Sequence, residues 1–238
     1  MTVPGRMAFM EHLVELRDRL VRMGAAVVAA SVAAFFFHEW ILDLLARPFE
    51  SAITGGQLAV FRPTEAFSLV MRLSLFGGLV LASPVILYQL WRFISPALSK
   101  KEKKWVIPII TAFTLLFVSG VVLGYWALER GLEFLLNFGG DSLEPIIGAD
   151  NYLAFSMRFI LAFGIAFEFP VFLFGAAAAG MVRSQKLRQG RRWAVLIILI
   201  SAALITPSGD PLTLMLLSIP LYLMFEITIL AIRFILKK

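Results

Sequence analysis

Long runs without a charged side chain constrain this fold more than any other sequence feature. Six such runs occur along the 238 residues, two of them interrupted by a single glutamate. The lipid interior offers no hydrogen-bond partners to unpaired backbone N–H and C=O groups. Apolar and polar residues do not alternate along these runs as they do in barrel strands, so each run is predicted to be a helix. The spans are expected at about residues 21–40, 66–94, 105–128, 152–180, 193–206 and 211–232. The sequence predicts an all-α integral membrane protein of six transmembrane helices, with residues 1–238 forming one membrane domain.

Composition supports this class and excludes several functions. Hydrophobic residues make up 60% of the chain and charged residues 16%, whereas about 25% of an average soluble domain is charged. The absence of cysteine rules out a disulfide framework, a thiolate metal site and a cysteine nucleophile. No cofactor or metal is expected. The net charge of +6 does not indicate nucleic acid, because in a membrane protein the placement of Lys and Arg matters more than their sum.

The distribution of basic residues predicts the orientation. Most Lys and Arg residues fall in four segments, at about 1–22, 100–104, 183–192 and 233–238. By the positive-inside rule these segments, and hence both termini, are predicted to be cytoplasmic. The larger outer loops, at about 41–64 and 129–151, are expected to hold short helices.

The two C-terminal spans are predicted to be short. Only 14 residues separate Arg192 from Pro207, and Glu226 shortens the sixth apolar stretch. At 1.5 Å per residue the fifth span covers about 21 Å of a hydrocarbon core roughly 30 Å thick. Two short neighbours should thin the bilayer locally; the alternative is that flanking arginines snorkel and leave it unperturbed.

The second and fourth spans share a glycine and proline pattern. Gly78 and Pro84 in one correspond to Gly164 and Pro170 in the other. Because a proline in a helix removes one hydrogen bond, the pattern predicts matched kinks that bend the bundle; coincidence between two kinked helices is the alternative.

Intramembrane polar residues are candidate functional groups. Glu168 lies past the middle of the fourth span, where an ionised carboxylate is costly, so it must face protein or water. Gln89 in the second span is its candidate partner. The carboxylate could be a proton site or an anchor for a polar ligand, or form a structural helix-to-helix hydrogen bond. Glu226 is expected to meet Arg233 or the headgroups.

The cytoplasmic face carries two isolated acidic candidates. Residues 1–22 are predicted to form an amphipathic interfacial helix in which Glu15 and Arg19 make an i,i+4 pair. Glu102 is the one acid in the sequence SKKEKK at 99–104. It could attract a cationic ligand or form a loop salt bridge.

Several motifs together resemble a known family. They are EHLVELR at 11–17, ASPVILYQLWRFISPAL at 82–98, AFGIAFE at 162–168, and Thr206-Pro followed by Asp210. In order and spacing they are similar to TatC, the receptor subunit of the twin-arginine protein translocase, over essentially the whole chain. The resemblance implies a bent, glove-like bundle in the cytoplasmic membrane of a prokaryote.

The resemblance also implies function and partners. A TatC-like protein binds the twin-arginine signal peptides of folded precursor proteins at the cytoplasmic face. It then assembles with single-span subunits of the TatA and TatB type for transport driven by the proton-motive force. A homo-oligomer within a larger complex, surrounded by membrane lipid, is expected.

Site residues carried over from the resemblance fall in four groups. Glu15 and Glu102 would bind the signal peptide, with Leu16, Arg17 and Phe93 in the same motifs. Pro48 and Asp210 are outer-loop functional residues, and Glu168 lies in the cavity of the bundle. Thr206, Thr213 and Leu214 would contact partner subunits. Leu214 departs from the family pattern, in which glutamine is common, so the polar part of that contact is weakened.

Two rival classes fit less well. An intramembrane enzyme would need a nucleophile with a base or a paired carboxylate site, and the spans contain neither, so no catalytic residue is assigned. A proton-coupled small-solute secondary transporter could use Glu168, Arg72 and Arg158, but the chain lacks the repeat symmetry typical of that class. No P-loop motif is present.

Overall fold

The computed structural model describes residues 4–52, 58–94, 106–137, 146–178, 180–206 and 210–236, nearly all of them helical. The helices are α1 Pro4–Phe35, α2 His38–Ala52, α3 Glu65–Ile94, α4 Val106–Asn137, α5 Ala149–Ala166, α6 Phe169–Ala178, α7 Ser184–Gln189, α8 Arg191–Ile205 and α9 Pro211–Ile235. Within these ranges the only β pairing is an isolated bridge between Ala59 and Gly148. The all-α class is confirmed.

Among the described residues, four stretches are long and apolar enough to cross a membrane. They are Glu65–Phe93, Ile110–Leu136, Ala149–Ala178 and Pro211–Ile235. Leu13–Phe35 and His38–Ala52, broken at Phe36 and Phe37, qualify as a fifth span only when counted together. The six-span count and the cytoplasmic placement of the termini stay predictions.

The two C-terminal helices differ in length. Helix α8 has 15 residues, or about 22 Å, and is as short as predicted. Helix α9 has 25 residues, or about 37 Å, and ends three residues after the predicted end of the sixth span, so a short sixth span stays a prediction. Glu226 lies inside this helix, and its carboxylate is paired with Arg191 and Tyr222.

The helix boundaries also differ elsewhere from those predicted. The amphipathic segment and the first span form one continuous helix, α1, up to Phe35. Helix α2 supplies the helix expected in the first outer loop. Helix α4 continues past the predicted end at residue 128 into the second outer loop.

The chain divides into two compact units, Met1–Glu39 with Val70–Thr114, and Trp40–Leu69 with Leu115–Lys238. In the first unit α1 and α3 are in near backbone contact, since a Cβ added at Gly78 would overlap the backbone and side chain of Ser31. In the second unit α4 crosses α5 through small residues: a Cβ at Gly120 would lie 2.7 Å from the Phe163 carbonyl oxygen. Gly120 and Gly124 form the small-xxx-small pattern that lets membrane helices approach closely.

The two prolines of the glycine and proline pattern lie in different local structure, while the matched kinks predicted for the second and fourth spans stay a prediction. Helix α3 continues through Pro84, whereas the fourth span is interrupted at Phe167 and Glu168, just before Pro170. Pro84 leaves the Val80 carbonyl without its helical N–H donor, and the Ser83 hydroxyl donates to that oxygen at 2.8 Å. Phe169, at the equivalent position before Pro170, has no hydroxyl to do so.

Candidate functional site

The predicted Glu15–Arg19 pair is present and extends to a second helix. The Glu15 Oε1 atom accepts hydrogen bonds from Arg19 Nη2 and, at 3.1 Å, from Arg19 Nε. Arg19 is only 7% exposed, and its Nη1 donates to Gln89 Oε1 on α3 at 3.2 Å. Arg19 therefore joins the candidate binding carboxylate on α1 to an amide 70 residues away.

The other described residues of the predicted signal-peptide site also lie on α1 and α3. Leu16 is half-buried, and Arg17 is exposed and donates to Asp18 at 2.9 Å. Phe93 is half-buried near the end of α3. Glu102 lies outside the described residues, so its joint action with Glu15 stays a prediction.

Gln89 does not have the partner predicted for it. It was expected to bond Glu168, but its amide oxygen accepts from Arg19 instead. The i,i+4 rule considers only one helix, so it missed this link. A signal was available, because Arg19 lies between Leu16 and Met23 along one helix face, where a charged side chain predicts a buried polar partner.

Glu168 is buried without a hydrogen-bond partner in the described part of the chain. It lies in the turn between α5 and α6, is 3% exposed, and neither carboxylate oxygen is bonded there. An ionised carboxylate in such a place costs several kcal/mol or more. The group therefore needs a proton, a water or an incoming polar ligand, which fits a functional role better than a structural hydrogen bond.

Pro48 creates an acceptor that another helix uses. It lies buried in α2 and has no N–H to donate to the Leu44 carbonyl. The Tyr125 hydroxyl of α4 donates to that oxygen at 2.9 Å, and the Tyr152 hydroxyl of α5 donates to the neighbouring Leu45 oxygen at 2.7 Å. The two tyrosines, which the sequence did not single out, thereby hold α2 against α4 and α5.

We expect Tyr125→Phe to lower the free energy of unfolding by about 1–3 kcal/mol, because the Leu44 carbonyl would lose its donor. In a Pro48→Ala background the new Ala N–H can bond that carbonyl, so the same change should cost about 1 kcal/mol less. Equilibrium unfolding in mixed detergent micelles measures both. Tyr88→Phe is the control, and purely additive effects of the two changes would contradict this role for Pro48.

Glu65 joins the segments that precede α3 and α5, and the sequence did not single it out. Its buried carboxylate accepts from the backbone N–H of Phe61 at 2.9 Å, Arg62 at 3.2 Å and Asp150 at 3.1 Å. Backbone bonds pairing Ala59 with residues 147 and 149 lie beside it. Its position at the start of a helix was the available signal.

Thr206 lies at the end of α8, and Asp210 and Thr213 lie at the start of α9. Asp210 is buried, caps α9 and accepts from the Thr213 N–H at 2.8 Å and from its hydroxyl. The Thr206 hydroxyl donates to the Ala202 carbonyl at 2.7 Å. Both threonine hydroxyl hydrogens are used inside the chain, while Leu214 is half-buried. A partner seated here would therefore be held mainly by apolar contact.

The other end of α8 is fixed to α9 by a polar cluster. Arg191 Nη2 donates to Glu226 Oε2 at 2.7 Å, and the Tyr222 hydroxyl donates to Glu226 Oε1 at 3.0 Å. The predicted contact of Glu226 with Arg233 is thus replaced, because Arg191 at the start of α8 is the cation that reaches it. The Arg191–Glu226 bond therefore joins the start of α8 to α9.

Comparison with known proteins is consistent along the whole chain. The family model described as Sec-independent protein translocase protein (TatC) matches residues 11–220. A Desulforapulum autotrophicum protein of that name is 39% identical over 232 residues, covering 97% of this chain and 86% of the relative. The Aquifex aeolicus protein of that name is 38% identical, covering 94% and 93%.

Solved structures agree with the sequence comparison. A crystal structure of the twin arginine translocase receptor TatC superposes with a TM-score of 0.80 at 37% identity, covering 93% of this chain and 98% of that one. A second crystal structure of that receptor, in the detergent DDM, gives a TM-score of 0.81 at 37% identity.

Proposed function

The chain belongs to the TatC family of Sec-independent protein translocase proteins, and from this we propose that it binds twin-arginine signal peptides at its cytoplasmic face through Glu15 and Glu102. It is a membrane subunit of the twin-arginine translocase and matches the receptor in fold.

The observation that carries the proposal is the Glu15 carboxylate held in place by Arg19 and Gln89. The Glu15 side chain is 36% exposed, and a carboxylate has about four acceptor sites, so an incoming guanidinium can reach it. Guanidinium groups bind carboxylates with two parallel, charge-assisted hydrogen bonds, which a single ammonium cannot make. Two arginines in a peptide therefore suit two carboxylates.

Glu102 would supply the second carboxylate, and the side chains of Leu16, Arg17 and Phe93 would border the site. Glu102 is flanked by four lysines in sequence. A fifth lysine would serve the positive-inside rule better, so the acidic side chain at this position favours a role in binding a cationic ligand. Apolar signal-peptide residues after the arginines would pack beside Leu16 and Phe93, both half-buried.

The partners would be single-span subunits of the TatA and TatB type, docking on α8 and α9. Exposed apolar side chains follow one face of α9 at spacings of three and four residues: Met215, Ile219, Leu223, Ile227, Leu230 and Phe234. Such a stripe suits either lipid or a membrane helix. The precursor, these subunits and further copies of this chain would form the complex in the prokaryotic cytoplasmic membrane, with both termini in the cytoplasm.

The chain acts as a receptor and not as an enzyme in this proposal. Glu168 serves as an intramembrane anchor for a polar ligand, and transport draws its energy from the proton-motive force. The rival solute transporter would use Arg72 and Arg158 with Glu168; both arginines are exposed on their helices. Their exposure does not favour a buried proton relay.

Transport of a precursor protein into inverted membrane vesicles tests the proposal. Vesicles that carry this chain with TatA- and TatB-type subunits should import a folded twin-arginine precursor, and a twin-lysine version of the precursor should not enter. Import that ignores the arginine pair, or uptake of small solutes without any precursor, would contradict it.

A further inference from the structure

Arg19 is a buried cation on α1. It is 7% exposed, although arginine side chains are almost never this buried unless they are paired. Its partners come from two helices, Glu15 one turn earlier on α1 and Gln89 on α3. The side chain is thus part of a network and is not a loose surface pair.

The Arg19 guanidinium links the orientation of the Glu15 carboxylate to α3. Nη1 is fixed by Gln89 Oε1 at 3.2 Å, while Nε and Nη2 both donate to Glu15 Oε1. Because the guanidinium is a rigid plane, anchoring one nitrogen sets the direction of the opposite edge. The Glu15 side chain is 36% exposed, so a ligand can reach its carboxylate from the solvent.

We propose that Arg19 and Gln89 are positioning residues that hold the Glu15 carboxylate in one orientation and thereby make the site prefer guanidinium over ammonium. This inference rests on the proposed binding of the signal peptide by Glu15. A fixed carboxylate matches the planar fork of arginine. A mobile carboxylate adapts equally well to the point charge of lysine and loses that preference.

The test compares two peptides that differ only in a twin-arginine or a twin-lysine pair, bound to the full chain in lipid nanodiscs. The measured quantity is the ratio of the two Kd values, lysine over arginine. Gln89→Leu keeps every charge and removes the acceptor for Arg19, so this ratio should fall about 3- to 10-fold, the range expected for losing one fixed rotamer. Arg19→Lys, which also keeps the charge, should lower the ratio similarly.

A rescue variant separates positioning from packing. In Gln89→Glu a carboxylate oxygen again accepts from Arg19, so the ratio should stay near the wild-type value. If Gln89→Glu loses the preference as fully as Gln89→Leu, the positioning role is overturned. It is also overturned if both Gln89→Leu and Arg19→Lys keep the wild-type ratio.

Glu15→Gln distinguishes failure of this inference from failure of the proposed function. If Glu15→Gln weakens twin-arginine binding while Gln89→Leu and Arg19→Lys both leave the ratio unchanged, only the positioning role falls. If Glu15→Gln binds as wild type, Glu15 is not a ligand for the peptide, and the proposed function and this inference fall together.

Discussion

Glu15→Lys and Glu102→Lys are each expected to weaken twin-arginine peptide binding at least about 100-fold, because each removes charge-assisted hydrogen bonds and adds a repulsive cation. The corresponding glutamine variants should lose less, about 10-fold, since an amide oxygen still accepts. Isothermal titration with the purified chain in nanodiscs measures both. The peptide affinity of the receptor would then depend on two named carboxylates.

Asp18→Lys is the matched control for the Glu15 variant. It makes the same charge change three residues away on the same helix, where Asp18 pairs only with its neighbour Arg17 in the described contacts. General electrostatics would affect both variants alike, whereas a binding carboxylate affects one. Equal losses for Asp18→Lys and Glu15→Lys would remove Glu15 from the site.

Glu168→Leu is expected to separate stability from transport. A buried carboxylate without a partner destabilises the fold, so an apolar side chain of similar size should raise the free energy of unfolding by about 1–3 kcal/mol. Export should nevertheless fall to background, because the polar anchor is gone. Glu168→Gln, which keeps hydrogen-bonding atoms, should retain most of the export.

Ser218→Ala provides the control for this prediction. The Ser218 hydroxyl is also buried without a hydrogen-bond partner in the described residues, but it belongs to no predicted site. Its removal should leave export unchanged and should not destabilise the chain. Full export by Glu168→Leu would show that the carboxylate has no role in transport.

Much of the fold follows from one-dimensional patterns. The apolar runs predicted helices at α3, α4 and α8, and the four-residue spacing predicted the Glu15–Arg19 pair. Hydropathy and helical periodicity are local properties, so a single sequence reports them directly.

The errors arose where a distant or neighbouring group supplies a hydrogen bond. Hydropathy does not show that Glu226 meets Arg191 on α8 and not Arg233 on its own helix. The donation of the Tyr125 hydroxyl to a carbonyl 81 residues away could not be read from spacing. Ser83, by contrast, stands directly before Pro84, and its hydroxyl could have predicted an unbroken helix there.

Pro48 shows how this limit affects site assignment. The resemblance marked the residue, but its physical effect, an open Leu44 carbonyl held by Tyr125, became visible only in three dimensions. Sequence comparison can thus identify a position without saying what it does.

The most direct test of the account is photo-crosslinking between a signal peptide and the chain. A photoreactive phenylalanine at Leu16 or Phe93 should crosslink to a twin-arginine peptide added from the cytoplasmic side. The crosslink should be lost with a twin-lysine peptide and with the Glu15→Lys variant, and the same probe at Met215 on α9 should give none. Crosslinks of equal yield for both peptides, or a crosslink at Met215 alone, would contradict recognition of the arginine pair at Glu15.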